Sequence, residues 1–251
     1  MAKNLKLLFD ADMFVFESCA SVETPINWGG DLWTLHADAA DAKAQIDSKV
    51  SFIVDKILTK LQHTGTYEII MCFSDTENFR KKILPTYKAN RIGKRKPVCY
   101  QAVKEWVTEN YTTYQRPNLE ADDCLGILAT STKEQAVIIS GDKDFKSIPC
   151  FFYDHRKAEL YEISEEEANK NHLLQTLAGD VADNYTGCPS IGMITATKLL
   201  DKSGYTFEQV VKIFESKGLT EEDALRQARV ARILRASDYN KKKKEVILWN
   251  P

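Results

Sequence analysis

Leu5-Lys6-Leu7-Leu8-Phe9-Asp10 is an apolar run that ends on a carboxylate, and Ala136-Val137-Ile138-Ile139-Ser140-Gly141-Asp142 repeats the arrangement. Short runs of this composition, apolar on both faces, read as strands buried in a parallel sheet. Ile69-Ile70-Met71-Cys72-Phe73 is a third, with one residue between it and Asp75. Ile46, Val50, Ile53, Ile57 and Leu61 recur between them at steps of three or four, the stripe of an amphipathic helix. A helix starting near Glu120 precedes the 136–140 strand, so the fold predicted is α/β, with a central, mostly parallel sheet flanked by helices. Ligands in open parallel sheets sit beyond the carboxyl ends of the strands, where Asp10, Asp75 and Asp142 fall.

These three belong to a larger set: Asp10, Asp75, Glu120, Asp122, Asp123, Asp142, Asp144, Asp180 and Asp183, in five short clusters. Two carboxylates about 4 Å apart repel by roughly 4 kcal/mol at an effective dielectric of about 20, so a fold that gathers several needs a cation. Oxygen donors without Cys or His favour a hard ion such as magnesium or manganese, and metal-assisted hydrolysis is the chemistry this pattern indicates. On a helix, Glu120 and Asp123 share a face, with Asp122 turned by one position. Asp12, two residues after Asp10, reads as a solvated or helix-capping carboxylate.

The chain has 251 residues, 43% hydrophobic and 28% charged, enough for one substantial core and a smaller subdomain. Its six cysteines never form Cys-x-x-Cys and read as reduced core residues of a cytoplasmic protein. Met1 to Leu5 carries no long apolar segment and no stretch is long enough to cross a bilayer, so neither secretion nor membrane insertion is expected. The net charge of −2 conceals an asymmetry: Phe79–Lys96 holds Arg80, Lys81, Lys82, Lys88, Arg91, Lys94, Arg95 and Lys96 with no acid. Basic groups that hold phosphates beside acids that hold metals are what a nuclease requires. The four histidines read as surface or packing residues, the four tryptophans as core or subdomain contacts, and Lys241–Lys244 as a solvated loop, with a phosphate contact as the alternative.

After short strands near Phe151–Tyr153 and Leu160–Ile163 the pattern turns helical. Ser164-x-x-Glu167 and Thr220-x-x-Asp223 are capping boxes. Gly187-Cys188-Pro189-Ser190-Ile191-Gly192 is a turn between two helices whose backbone N–H groups can face a phosphate. The expected division is an α/β core over 1–163, with the basic segment at 77–98, and a helical unit over 164–251.

Leu119-Glu120-Ala121-Asp122-Asp123, Ser140-Gly141-Asp142-Lys143-Asp144 and Gly179-Asp180-x-x-Asp183-Asn184, with Gly187 and Gly192, resemble the 5′ nuclease (flap endonuclease) superfamily. Pro85-Thr86-Tyr87-Lys88-Ala89-Asn90-Arg91 resembles its arch, which threads or clamps a single-stranded 5′ end. The C-terminal stretch from Ala231 to Trp249 is most similar to the exonuclease branch found in podovirus bacteriophages. The resemblance implies a PIN/FEN-like fold with a helix-three-turn-helix at 173–200. It implies two magnesium ions, replaceable by manganese: Asp10, Asp75, Glu120 and Asp122 at the first, Asp142, Asp144, Asp180 and Asp183 at the second, and Asp123 at either. Lys88 and Arg91 would contact the scissile phosphate with Arg80 assisting, and Tyr87 would stack on a terminal base. Lys94, Arg95, Lys96, Gly187, Gly192, Thr195 and Lys198 would meet DNA, and the turn could hold a potassium ion, although Ser190 stands where many relatives have glycine.

The activity so implied is 5′→3′ hydrolysis of duplex DNA from a 5′ end, nick or flap, and of RNA primers in RNA–DNA hybrids, by a monomer in the host cytoplasm with possible replisome contacts. Two other readings compete with it. Phe9-Asp10-Ala11-Asp12 and Gly141-Asp142-Lys143-Asp144 mimic a haloacid-dehalogenase-like phosphatase, which leaves Glu120–Asp123, Asp180–Asp183 and the basic segment without roles. A DNA-binding protein with a decayed site is opposed by the complete set of acids.

Overall fold

A computed structural model describes residues 4–131 and 134–251. Met1–Lys3, part of the stretch read for the lack of an apolar leader, lie outside the described residues. The elements run β1 (Leu5–Asp10), α1 (Ala11–Ser21), β2 (Thr24–Asn27), β3 (Trp33–His36), α2 (Ala39–Lys60), β4 (Tyr67–Cys72), α3 (Arg80–Ile83), α4 (Tyr100–Asn110), β5 (Thr112–Tyr114) and α5 (Ala121–Ser131). β6 (Gln135–Ser140), β7 (Phe151–Asp154), β8 (Glu159–Glu162), α6 (Glu165–Ala178), α7 (Met193–Ser203), α8 (Phe207–Glu215), α9 (Glu221–Ala231), β9 (Tyr239–Asn240) and β10 (Glu245–Val246) follow.

Six strands form the central sheet in the order β5-β4-β1-β6-β7-β8, parallel except for the edge pair β7–β8. β1 lies in the middle because both its faces are apolar. Leu5, Leu7 and Phe9 pack into the layer built by α1, α2 and α4, while Leu8 points into the layer built by α5. Phe9 is fully buried and meets Phe14 edge-on at 5.3 Å, so truncating it to alanine should cost about 3–5 kcal/mol. The α2 stripe behaves as its spacing predicts, with Ile46, Val50, Ile53 and Ile57 all buried. β1 and β6 run in register from Leu5 with Gln135 to Phe9 with Ile139, so Asp10 and Ser140 emerge side by side.

Helices α6 to α9 gather around a separate apolar cluster that includes Leu177, Leu200, Val210 and Phe214. Both capping boxes form: the Ser164 and Thr220 hydroxyls accept from the Glu167 and Asp223 N–H groups, and each acid returns the bond. The loop between α6 and α7 depends on two glycines. Gly179 and Gly187 have φ of +66° and +60°, and a Cβ at either would lie 2.4 Å from the backbone of the opposite arm. Ser190 takes φ +62° in the same loop, a conformation glycine adopts without strain.

Two readings of the tryptophans need correction. Trp28 and Trp33 are not core contacts: they stand 64% and 58% exposed on the β2–β3 hairpin, which pairs with itself rather than with the central sheet. The exposed run Gly29-Gly30-Asp31 that turns this hairpin was the overlooked signal. Trp249 does bridge subdomain elements, edge-on to both His172 of α6 and Phe207 of α8. All six cysteines are free thiols, five of them buried.

Candidate active site

The carboxyl ends of β1 and β6, the start of α5 and the loop after α6 converge on one small acidic cavity. Glu120, Asp122, Asp142, Asp144 and Asp183 line it, closed at the back by Tyr185, Val230, Ala231 and Ile233. Asp10 stands just behind. Its Oδ1 caps α1 by accepting from the Met13 N–H at 3.2 Å, and its Oδ2 accepts from the Ser140 hydroxyl at 2.9 Å. That hydroxyl also accepts from the Asp142 N–H, so Ser140 ties the β1 acid to the β6 acid. Asp142 in turn caps the 3-10 turn Lys143–Ser147 by accepting from the Asp144 N–H. Asp10 and Asp142 thus each precede a helical turn whose backbone donors orient them.

The electrostatics divide these acids into two groups. Burial, then the charge of Asp12, pushes Asp10 up to about 7. Burial, then Asp142 and Asp180, does the same to Asp144. Asp122 is raised strongly by burial and by the charges of Asp10, Asp142 and Glu120, against the pull of Lys88. Glu120 behaves in the opposite way: burial alone would raise it, but the charges of Lys88 and Arg80 hold it at about 2. The first group is a surplus of negative charge without a counter-ion; the second already has one.

The counter-ions come from the basic segment. Lys88 Nζ bonds Glu120 and lies 3.4 Å from Asp183 Oδ2, while Arg91 bonds Asp183 Oδ1 at 2.6 Å. Lys88 also takes φ +54° and donates its N–H to the Asp183 carbonyl, a strained backbone at the centre of the site. With Glu120 and Asp183 drawn towards these cations, no three acidic, histidine or cysteine side chains among the described residues converge as a ligand set around one point. The donor chemistry nevertheless fits hard divalent ions: oxygen ligands only, three of them held by burial and mutual repulsion in the state that a cation would relieve.

The structure separates other residues from this group. Asp123 is fully buried, receives two 2.7 Å bonds from the Arg80 guanidinium and accepts from the Glu120 and Leu234 N–H groups, which leaves it facing away from the cavity. It is a structural anion, not a shared metal ligand. Arg80 is correspondingly no phosphate contact: it is 2% exposed and also donates to the Val230 and Arg232 carbonyls, fastening α3 to the end of α9. Tyr87 cannot stack on a base, because it is 3% exposed and its hydroxyl bonds Glu120 and Asp183 at 2.8 and 2.9 Å. Asp12 neither caps α1 nor faces solvent freely; it accepts from the Ser74 N–H and the Tyr100 hydroxyl, linking α1 to the β4 end and α4.

Asp75 does not reach the cavity wall; its carboxylate accepts from the Asn118 N–H at 2.8 Å, and that bond is the main cause of its lowered pKa. Asp180 stays nearby through its charge on Asp144 while capping the Ala182 and Asp183 N–H groups. Arg95 is held by Glu23 through both guanidinium nitrogens, and Lys96 lies over the Tyr100 ring at 4.2 Å, whereas Lys94 is exposed with no such partner among the described residues. Gly187 donates to Gln227, Gly192 precedes α7, and Thr195 and Lys198 are exposed on that helix. Ser140 and Gln175, whose side chain lowers the pKa of Asp144 and keeps one buried oxygen without a partner, were missed from sequence. A small polar residue ending an apolar strand just before Gly-Asp was the available signal for the first; Gln175, in the last turn of α6, gave none.

Comparison with known proteins identifies the family and the fold. Residues 35–171 match the family described as "5'-3' exonuclease, N-terminal resolvase-like domain". The "Exonuclease" of Escherichia phage T7 is 32% identical, covering 98% of this chain and 93% of the relative. The "Exodeoxyribonuclease" of Enterobacteria phage T3 is 31% identical over 98% and 92%. Among solved structures, the phage T5 5'-exonuclease with divalent zinc ions bound superposes with a TM-score of 0.62 at 17% identity, covering 91% of this chain and 89% of that one, which shows a shared fold. The chain belongs to the 5′–3′ exonuclease family.

Proposed function

We propose that this chain hydrolyses phosphodiester bonds from the 5′ end of duplex DNA with magnesium as its ion. The observation that carries the reading is the cavity in which Asp122, Asp142 and Asp144, with Asp10 behind them, are held against their own repulsion while Lys88 and Arg91 approach from the basic segment. Divalent ions bound there would lower the pKa of an attacking water and stabilise the leaving oxygen. Asp10, Glu120 and Asp122 on one side, and Asp142, Asp144, Asp180 and Asp183 on the other, are the residues that would hold them, with Asp75 reaching through water.

In this structure Lys88 and Arg91 neutralise Glu120 and Asp183; a phosphate delivered to the cavity offers them a second partner. Their pairing with two acids of the cavity wall brings them close enough to neutralise charge that develops on the phosphate during reaction. The loop from Gly179 to Gly192, with Thr195 and Lys198 on α7, would grip the duplex backbone, and Ser190, already in a left-handed conformation, keeps the turn compatible with a monovalent ion. The same reading extends to the RNA strand of a hybrid, which offers the site the same phosphodiester group.

The test uses a duplex labelled separately at its 5′ and 3′ ends, with magnesium or a chelator. Early release of the 5′ label as mono- or short oligonucleotides, only with magnesium, supports the proposal. Survival of both labels with every divalent ion tried overturns it.

A further inference from the structure

Resting on that reading of DNA as substrate, we propose that Lys241–Lys244, the tip of the β9–β10 hairpin, is a further anchor for the phosphate backbone of duplex DNA, separate from the basic segment and from α7.

The distribution of free charge leads there. Of the eight cations in residues 79–96, Arg80, Lys88, Arg91 and Arg95 are committed to Asp123, Glu120, Asp183 and Glu23. Half of the formal charge is therefore neutralised inside the protein. Lys241–Lys244 are all exposed, and among the described residues none of the four ammonium groups has an ion pair, a side-chain hydrogen bond or an aromatic ring within reach. Of the nearby acids, Asp238 is occupied by Arg232 at 2.8 Å, and Glu245, which follows Lys244, is exposed and forms no ion pair with the four lysines among the described residues. Four adjacent like charges beside a single exposed acid, none of them ion-paired among the described residues, fit a polyanion.

The turn is also built rigidly. Asn240 Oδ1 accepts from the Lys242 and Lys243 N–H groups at 3.1 and 3.0 Å, and Lys244 closes the loop at φ +56°. Glu245 and Val246 pair with Asn240 and Tyr239 across the hairpin. Tyr239 is buried against the α5 layer, and downstream Trp249 is seated between α6 and α8, its carbonyl bonded by Arg229 Nε. The lysines are thus fixed at the seam between the layer that carries the active-site acids and the C-terminal helices, and binding a phosphate chain there orders only side chains.

The experiment replaces Lys241, Lys242, Lys243 and Lys244 together with serine, and in a second variant with arginine. Binding of a fluorescent duplex is measured by anisotropy across a salt series, with calcium in place of magnesium to suppress cleavage. Removing one lysine–phosphate pairing should reduce the slope of log affinity against log salt by about 0.9. The serine variant is expected to show a slope shallower by roughly 2–4, the arginine variant to retain the parent slope, and both to cleave saturating DNA at the parent rate. A slope unchanged in the serine variant while the parent binds normally overturns this inference and leaves the nuclease reading intact. A parent that neither binds nor cleaves duplex overturns the nuclease reading itself. Flotation with phosphatidylserine vesicles tests the other polyanion: vesicle binding abolished in the serine variant, with an unchanged DNA slope, would reassign the turn to a membrane surface and overturn the proposal.

Discussion

Arg80→Met replaces the guanidinium that joins α3, α5 and the end of α9, keeping most of its apolar stem. The side chain is 2% exposed and donates to Asp123 twice, to Glu120 once and to the Val230 and Arg232 carbonyls. Its removal leaves Asp123, fully buried, as an uncompensated charge. Breaking such a pair costs about 3–5 kcal/mol, and each buried carbonyl left without a donor adds about 1 kcal/mol or more. The expected loss is about 4–6 kcal/mol, which for a chain of this size lowers Tm by roughly 10–20 °C. Urea unfolding of Arg80→Met, Asp123→Asn and the double variant forms a thermodynamic cycle, and the double variant should be much less destabilised than the sum of the singles. Loss of stability below about 1 kcal/mol, combined with a strong loss of DNA affinity, would refute the reasoning and restore Arg80 as a phosphate contact.

Lys88→Ala should lower the cleavage rate at saturating DNA more than it weakens binding, because its ammonium acts where charge develops; equal losses in steady-state and binding assays would make it a docking residue only. Ser190→Gly should stabilise the protein by about 0.5–1 kcal/mol, since φ +62° strains any residue with a Cβ, and a lower urea midpoint would contradict this. Asp10 and Asp144 are raised from 3.8 to about 7, so the folded protein holds protons that the unfolded chain has released; metal-free stability should fall as pH rises from about 4 to 7, by up to roughly 4 kcal/mol per carboxylate. Magnesium should then raise Tm more at pH 8 than at pH 5, and equal shifts in thermal melts would contradict the assignment. Glu120 works in the opposite direction, its contribution being lost as pH falls from about 4.5 towards 2.

The sheet and its helices were legible because burial imposes a period. β1, β4 and β6 are apolar on both faces, and the α2 stripe repeats at helical spacing. The acids were legible because they follow those strands. Which acid does what was not, since spacing gives proximity and not direction: Asp122 and Asp123 are neighbours, yet one lines the cavity and the other is buried against Arg80. That pairing spans 43 residues and the contact of Arg80 with Val230 spans 150, distances over which local pattern carries no information. The formal charge of the basic segment likewise says nothing of the carboxylates that pair with Arg80, Lys88, Arg91 and Arg95. Trp28 and Trp33 were read as core or subdomain contacts by residue type alone, and their hairpin is instead open to solvent.

The most direct test of the central claim is made on Asp142→Ala, which removes one cavity carboxylate while leaving the basic segment in place. Magnesium-dependent release of the 5′ label from duplex DNA should fall at least about 1000-fold, with duplex affinity measured in calcium changed by less than about threefold. Cleavage near the parent rate in this variant would contradict the account, because the acids would then not be holding the ions that carry the reaction.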